Sequence, residues 1–114
     1  MDETIFDKII AKKIPADLVY EDEDILAFKD INPQAPVHVL VIPKKKIGRF
    51  AELGHQSTNF IAKYFIGISK VAEHLGLEKD GYRVIFNNGE DAGQEVEYIH
   101  AHILAGRRLQ WPPG

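Results

Sequence analysis

One long amphipathic segment, set between groups of strand-like segments, is the strongest constraint on the fold of this chain. Apolar residues recur at helical spacing from about Thr58 to Leu75 and give a single apolar stripe: Phe60, Ile61, Tyr64, Phe65, Ile68, Val71, Ala72 and Leu75. Gly76 follows directly and suits the C′ position, where a left-handed backbone commonly ends a helix. The sequence therefore predicts one long helix in the middle of the chain.

The sequence on either side of that helix predicts one short helix and several strands. Thr4 to Lys13 is predicted to be helical, with Thr4 as the cap, Asp7 three residues later and Pro15 ending the helix. β-Prone runs predict strands at Leu18 to Glu21, Ile25 to Lys29, Val37 to Ile42, Tyr82 to Asn87 and about Val96 to Leu104. This order predicts an α+β fold with a mainly antiparallel sheet.

Composition narrows the class of protein. The 114 residues fit a single domain, residues 1–114, and the absence of cysteine excludes disulfides and thiolate zinc sites. We therefore expect a reducing compartment, the cytoplasm, and the acidic start of the chain does not resemble a secretory signal. No apolar run approaches the roughly 18 residues of a membrane span. A net charge of −3 argues against nucleic acid as a partner but allows a small anionic ligand.

Two histidines in the last predicted strand are the strongest candidates for chemistry. His100 and His102 are two residues apart, so in a strand they share a face and lie about 7 Å apart. A phosphate can contact both, since a neutral imidazole can attack phosphorus while a second one donates hydrogen bonds. His38 stands in the other strongly apolar strand. The turn-rich loop from Asn88 to Gly93 can direct backbone N–H groups at an anion.

The spacing of these histidines leaves other interpretations open. A histidine in a strand is commonly a structural residue with its hydrogen bonds satisfied. His38, His100 and His102 could also form a zinc site. Spacing alone does not decide between these interpretations and a phosphate site.

A resemblance to a known family adds a more specific prediction. The stretch Gly93-Gln-Glu-Val-Glu-Tyr-Ile-His100-Ala-His102-Ile-Leu-Ala-Gly106-Arg resembles the histidine-triad (HIT) signature, His-x-His-x-His followed by apolar residues. Six further stretches resemble the Hint branch of that family: Thr4 to Ile10, Ile14-Pro15, Ala27 to His38, Val41 to Lys45, Gly81-Tyr-Arg83 and the ending Trp111-Pro-Pro-Gly114. The resemblance covers nearly the whole chain.

The resemblance implies a fold, an activity and a set of site residues. Hint proteins are homodimers that bind purine nucleoside monophosphates such as AMP or GMP and hydrolyse nucleoside phosphoramidates. We expect no cofactor and no catalytic metal in this chain, because no cysteine or clustered carboxylate completes a zinc shell. Carried over, His100 is the nucleophile and His102 contacts the phosphate, with His38 and Tyr98 supporting the site. The phosphate-side positions are Asn87, Gly93, Gln94 and Glu95. The base and ribose positions are Ile5, Phe6, Ile9, Phe28, Asp30 and Ile31, and Trp111 lies near the partner's site.

Four positions differ from residues found in other members of the family. Tyr98 replaces the first triad histidine, and a phenol with a pKa near 10 is a poor proton relay at pH 7. Glu95 stands where many Hint proteins have serine, so we expect its side chain to turn away from the phosphate and its N–H to remain useful. Thr4 and Asp7 stand where some relatives have a zinc-binding cysteine pair. The Tyr98 substitution keeps a second hypothesis open, a nucleotide-binding or scaffold protein with little catalysis.

Overall fold

The computed structural model describes residues 2–114, which form two α-helices, five strands and two short 3₁₀ turns. The helices are α1 (Ile5–Ile10) and α2 (Thr58–His74), and the turns are Phe50–His55 and Glu90–Ala92. The strands are β1 (Leu18–Glu21), β2 (Ile25–Lys29), β3 (Val37–Pro43), β4 (Arg83–Phe86) and β5 (Ala101–Ala105). The predicted combination of one long helix, one short helix and several strands is confirmed.

All five strands form one antiparallel sheet in the order β1-β2-β3-β5-β4. The last strand in sequence lies between β3 and β4, so the two strands that carry histidines are neighbours. Leu40 of β3 pairs with His102 of β5, and His38 pairs with Leu104. His38 and His102 are therefore diagonal neighbours across the ladder, close enough for their long side chains to meet.

The two faces of the sheet carry different cores. Helix α2 covers one face, where Val71, Ile68 and Tyr64 pack against strand residues such as Val39, Val41 and Ile103. The Tyr64 hydroxyl donates to the backbone carbonyl of Val41 at 2.8 Å, which satisfies a polar group inside this core. Helix α1 covers part of the other face with a smaller cluster: Phe6, Ile9, Leu26, Phe28, Leu40, Ile42 and Tyr98.

Both helices begin where the sequence predicts. Thr4 caps α1 in a reciprocal capping box with Asp7, and Ser57 caps α2. Helix α2 ends at His74 with Leu75 as its C-cap, and Gly76 occupies the predicted C′ position with a φ of +72°. Helix α1 ends at Ile10 rather than at Lys13, because Lys12 adopts a left-handed backbone with φ +61° ahead of Pro15. Within residues 2–114, no helix is both long and apolar enough to cross a membrane.

The last strand is shorter than predicted, since β5 begins at Ala101 and not near Val96. The ladder register that pairs Val41 with Ala101 would place Ile99 opposite Pro43, which has no N–H to donate. The Ile99 N–H donates instead to the carbonyl of Ile47 at 2.6 Å, and the Tyr98 N–H donates to Val96 at 2.9 Å. His100 therefore lies just before the strand, at the end of an irregular segment. The side chains of this segment still alternate: Tyr98 and His100 lie on the α1 side of the sheet against Phe6, whereas Ile99 belongs to the core under α2.

Candidate active site

Three histidine rings form a continuous row on the face of the sheet that α1 partly covers. The ring centroids of His38 and His102 are 5.2 Å apart, and those of His102 and His100 are 4.9 Å apart. Phe6 of α1 lies against the His100 ring at 5.0 Å in an edge-to-face contact. The structure thus brings together the three histidines that the sequence singles out.

A backbone N–H sets the protonation of the first two rings. The Gln34 N–H donates to His38 Nδ1 at 3.0 Å, so this nitrogen carries a lone pair and the proton of the neutral ring sits on Nε2. His38 Nε2 then donates to His102 Nδ1 at 2.9 Å. The network therefore assigns the remaining proton of His102 to Nε2. His102 Nε2 is a buried donor without a partner among residues 2–114.

The carbonyl of Tyr98 sets the protonation of the third ring. It lies 2.7 Å from His100 Nδ1 and can only accept, so Nδ1 carries the proton. The lone pair of the neutral His100 ring is therefore on Nε2. The site presents a nucleophilic nitrogen on His100 beside a hydrogen-bond donor on His102, the pair of groups that attack on a bound phosphate requires.

Burial keeps all three rings neutral. It lowers the pKa of His100 below the ordinary value of 6.5, against opposing contributions from the Tyr98 carbonyl and Asp30. Burial likewise lowers the pKa of His38, although Asp30 raises it. For His102, burial and then the neighbouring His100 and His38 rings lower the pKa to about 4. At pH 7 the row is a set of neutral imidazoles, as nucleophilic attack demands.

Tyr98, which replaces the first triad histidine, is fully buried, and its hydroxyl is engaged in a structural hydrogen bond. Its hydroxyl donates to the backbone carbonyl of Pro43, and its ring packs edge to face on Phe6 at 6.0 Å. Burial, with a smaller contribution from the Asp7 charge, raises the pKa of this phenol well above its ordinary value. Tyr98 therefore supports the segment before His100 without titrating.

The loop before that segment has a defined structure, and Gln94 holds it. The Gln94 side chain accepts from the Gly89 N–H at 2.8 Å and donates to the carbonyls of Gly48 and Val96, each at 2.9 Å. Gly93 has a φ of +78°, a conformation that favours glycine. Glu95 is exposed, and its backbone N–H donates to no acceptor within residues 2–114. Asn87 is half-buried at the end of β4.

The predicted base and ribose residues divide between buried and open positions. Phe6, Ile9 and Phe28 belong to the smaller core, whereas Ile5 is 48% exposed and Ile31 is 97% exposed. Asp30 is half-buried; one oxygen accepts from the Asn32 N–H at 2.8 Å, and the other lies 3.4 Å from His38 Nε2. A cleft of about 390 Å³ opens beside α1, lined by Ile9, Lys12, Lys13, Ile14, Pro15, Ala16 and Leu18.

Sequence reasoning missed one contributor to this site. The Gln34 N–H orients His38, and the only signal in the sequence was its place in the proline-rich loop before β3. The cleft beside α1 is lined by none of the three histidines.

The hydrogen bonds of this site are incompatible with metal coordination by the same histidines. Asp30, His38 and His102 each offer a ligand atom, and the three atoms lie within 4.8 Å of one another. However, His38 Nε2 and His102 Nδ1 are 2.9 Å apart with one proton between them. Tetrahedral zinc bonds of 2.0–2.1 Å would hold two ligand nitrogens about 3.3 Å apart, with no proton on either. The positions of the relatives' cysteine pair, Thr4 and Asp7, are hydrogen-bonded to each other.

The fold and the site define a class: an α+β protein with paired histidines at the centre of an antiparallel sheet. A family model described as HIT domain matches residues 11–109. The chain belongs to the HIT family. The "14 kDa zinc-binding protein" of Zea mays is 52% identical over 113 residues, covering 97% of this chain and 88% of that protein. A HIT-like protein of Synechocystis is 47% identical over 113 residues, covering 99% and 98% of the two chains.

Solved structures agree with this assignment. The crystal structure of a HIT family hydrolase from Legionella pneumophila superposes with a TM-score of 0.92 at 46% identity, covering 98% of this chain and 100% of that one. A histidine triad protein from Clostridium difficile gives a TM-score of 0.87 at 42% identity, covering 96% and 97% of the two chains. The predicted HIT-like fold is therefore confirmed.

Proposed function

We propose that this chain is a purine nucleoside phosphoramidate hydrolase of the Hint branch, acting through a nucleotidylated His100. The observation that carries the proposal is the protonation pattern of the site: a lone pair on His100 Nε2 next to a buried, unpartnered N–H on His102. The names of the Legionella relative and of a Clostridium thermocellum relative, both HIT family hydrolases, support a hydrolytic reaction.

The proposed reaction has two steps. His100 Nε2 forms a bond to phosphorus while the phosphorus–nitrogen bond of the substrate breaks, and the leaving amine takes up a proton from solvent. Water then forms a bond to phosphorus as the bond to His100 breaks, which releases the nucleoside monophosphate, gives one proton back to solvent and returns the ring to its starting form. His100 gains positive charge while it is nucleotidylated, and the Tyr98 carbonyl stabilises that charge through the Nδ1–H bond.

Phosphate binding is assigned to groups around the two histidines. We assign the His102 Nε2–H and the N–H of Glu95 as donors, together with Asn87. The Gly93 N–H already donates to the Glu90 carbonyl at 2.9 Å, so we assign Gly93 to shaping the loop beside the phosphate. The Gln94 amide already makes three hydrogen bonds within the protein, so we assign it to holding the loop rather than to direct contact. The exposed Glu95 carboxylate lies outside this set, which limits its repulsion of the phosphate.

The purine is proposed to bind against the apolar residues of α1 and the loop after β2. A flat base would cover the exposed surface of Ile5 and Ile31 above the buried rings of Phe6 and Phe28, near Ile9. The half-buried Asp30 carboxylate is suited to accept hydrogen bonds from the two ribose hydroxyls.

We also propose that the protein is a homodimer joined along β4. This strand is a sheet edge, and an exposed apolar patch lies beside it: Phe50, Phe65, Ile66, Tyr82 and Val84. Phe65 of α2 stacks on Phe86 of β4 and the Phe50 ring contacts Phe86 at a tilt, so helix and strand form one surface. The tail runs alongside, since the Arg83 side chain donates to the Gln110 carbonyl at 3.1 Å and Trp111 is 81% exposed. Trp111 is thereby available to a partner's site.

Tyr98 favours one competing function, nucleotide binding with little catalysis, because its buried phenol cannot relay protons. Turnover of adenosine phosphoramidate, measured alongside AMP affinity by calorimetry, separates the two. The hydrolase proposal predicts release of AMP and ammonia with saturation kinetics. AMP binding without turnover would establish the competing function instead.

A further inference from the structure

Lys46 connects the N-terminal segment to the site. Its ammonium lies 2.7 Å from Asp7 Oδ2 and 2.6 Å from the backbone carbonyl of Asp2. The same Asp7 oxygen accepts from the N–H and the hydroxyl of Thr4, at 2.7 and 2.9 Å. Although burial alone raises the pKa of Asp7, the hydrogen bonds from Lys46 and Thr4 outweigh it and leave that pKa below its ordinary value. One carboxylate oxygen therefore gathers three donors at the start of α1.

The same lysine also reaches the segment that orients the nucleophile. Its Nζ lies over the ring of Tyr98, 5.9 Å from the centroid. The Tyr98 carbonyl accepts from His100 Nδ1, and the Phe6 ring of α1 lies between Tyr98 and His100. A path of direct contacts thus runs from Lys46 to the nucleophile, and none of Lys46, Asp7 or Thr4 belongs to the proposed substrate pocket.

Both elements that Lys46 joins need an anchor. Helix α1 has six residues, far fewer than the roughly 12 to 15 at which an isolated helix becomes marginally stable. The segment from Val96 to His100 forms no ladder hydrogen bonds with β3, because Pro43 has no N–H to pair with it. The Lys46 and Asp7 side chains are only 20% and 25% exposed, so solvent screens their attraction less than that of a surface pair.

We propose that Lys46 and Asp7 form a clasp that positions His100, by holding α1 and the Tyr98 segment against each other. Lys46 is a positioning residue, since it acts on His100 through Tyr98 and Phe6. The inference rests on the proposed function for its kinetic test, but its structural test does not need turnover. Misplacement of a reacting group by about 1 Å can cost on the order of a hundredfold in rate.

The chain offers a matched control two residues away. Lys44 pairs with Glu21 at 2.8 Å, and the two side chains are 29% and 37% exposed. Among residues 2–114, neither side chain forms a hydrogen bond or ion pair with α1, Tyr98 or the histidines. Glu21 also pairs with Lys12, which lies beyond the end of α1. Lys44→Met therefore removes an equal charge from the same lysine run. Lys46→Met should lower kcat about tenfold or more for adenosine phosphoramidate. Lys44→Met should leave kcat within about twofold, and Lys46→Arg should recover most of the loss.

Lys46→Met could fold poorly because it leaves the Asp7 carboxylate unpaired. The double variant Lys46→Met with Asp7→Asn removes that unpaired charge, so it tests the clasp without this defect. It should lower kcat as Lys46→Met does. Recovery of wild-type kcat in the double variant would show that the unpaired Asp7, not the loss of the clasp, caused the defect. The proposal would also be overturned if Lys46→Met had a lower melting temperature but a wild-type kcat, measured at a temperature where the variant is fully folded.

A spectroscopic readout separates this inference from the proposed function. Long-range ¹H–¹⁵N NMR of the imidazoles reports which His100 nitrogen carries the proton. The clasp predicts that Lys46→Met moves His100 from a single Nδ1–H form toward a mixture, whereas Lys44→Met does not. An inactive wild type whose His100 signals respond in this way would overturn the hydrolase and keep the clasp. Unchanged His100 signals in Lys46→Met would overturn the clasp.

Discussion

The Nδ1–H of His100 donates to the backbone carbonyl of Tyr98, two residues earlier, at 2.7 Å. Because the acceptor is main chain, the side chain at position 98 can change without removing the group that sets the protonation of the nucleophile. This relationship explains how a tyrosine can stand in the first triad position of a HIT protein and leave the protonation and orientation of His100 in place.

The first prediction concerns this position. Tyr98→His should change kcat/KM for adenosine phosphoramidate by less than about tenfold, or 1.4 kcal/mol, since the carbonyl remains and the phenol does not titrate. Steady-state kinetics in both proteins between about pH 5.5 and 8.5, around the ordinary histidine pKa, check it. A hundredfold gain would show that loss of a proton relay limits the natural protein. Tyr98→Phe, which loses only the bond to Pro43, is the control for packing.

The second prediction is a loss of stability in acid through His102. Its pKa is about 4 in the folded protein and 6.5 ordinarily, so between these values the unfolded chain binds more protons. The free energy of unfolding should therefore be constant above about pH 6.5 and fall as the pH drops toward 4. Urea unfolding at about pH 7.5 and pH 5 should show a smaller fall for His102→Gln, whose amide oxygen can still accept from His38. Equal falls in both proteins would contradict the assignment.

Much of the scaffold could be predicted from the sequence, because its determinants are local. Helical periodicity predicted α2 and its end before Gly76, and runs of β-prone residues predicted the strands of the first hairpin and β3. The start of β5 was wrong because it depends on a missing N–H in another strand, at Pro43. The protonation of the histidines depends on the Gln34 N–H, and the loop at Gln94 depends on contacts between segments distant in sequence. Neither leaves a periodic signal.

Metal independence is the third prediction. The His38–His102 hydrogen bond holds a proton where a metal would need two lone pairs. Dialysis against EDTA should leave kcat for adenosine phosphoramidate within about twofold, a change under 0.5 kcal/mol in barrier. Elemental analysis of the purified protein should find less than one equivalent of zinc. Activity that disappears with the metal and returns on adding zinc would reverse this conclusion.

The fourth prediction tests the dimer surface. Phe65→Asp places a charge in the apolar patch beside β4 and should convert a dimer into a monomer, because an unpaired charge is costly to bury in an interface. Light scattering at micromolar concentration measures the mass. Lys70→Asp is the control, because Lys70 lies on α2 near Asp22, at the β1 edge of the sheet and away from β4. This variant should leave the mass unchanged. A natural protein that is already monomeric would refute the proposed assembly.

The central claim is that His100 forms a bond to phosphorus. Intact-protein mass spectrometry of turnover that is rapidly quenched in alkaline denaturant tests it most directly, because the phosphorus–nitrogen bond of the adduct is labile in acid. The account predicts one nucleoside monophosphate adduct per chain during turnover of adenosine phosphoramidate, mapped to His100 by fragmentation. It also predicts no adduct and less than about a tenth of the rate in His100→Ala, a loss above 1.4 kcal/mol. An adduct on His102, or a His100→Ala variant that keeps more than a tenth of the rate, would contradict it.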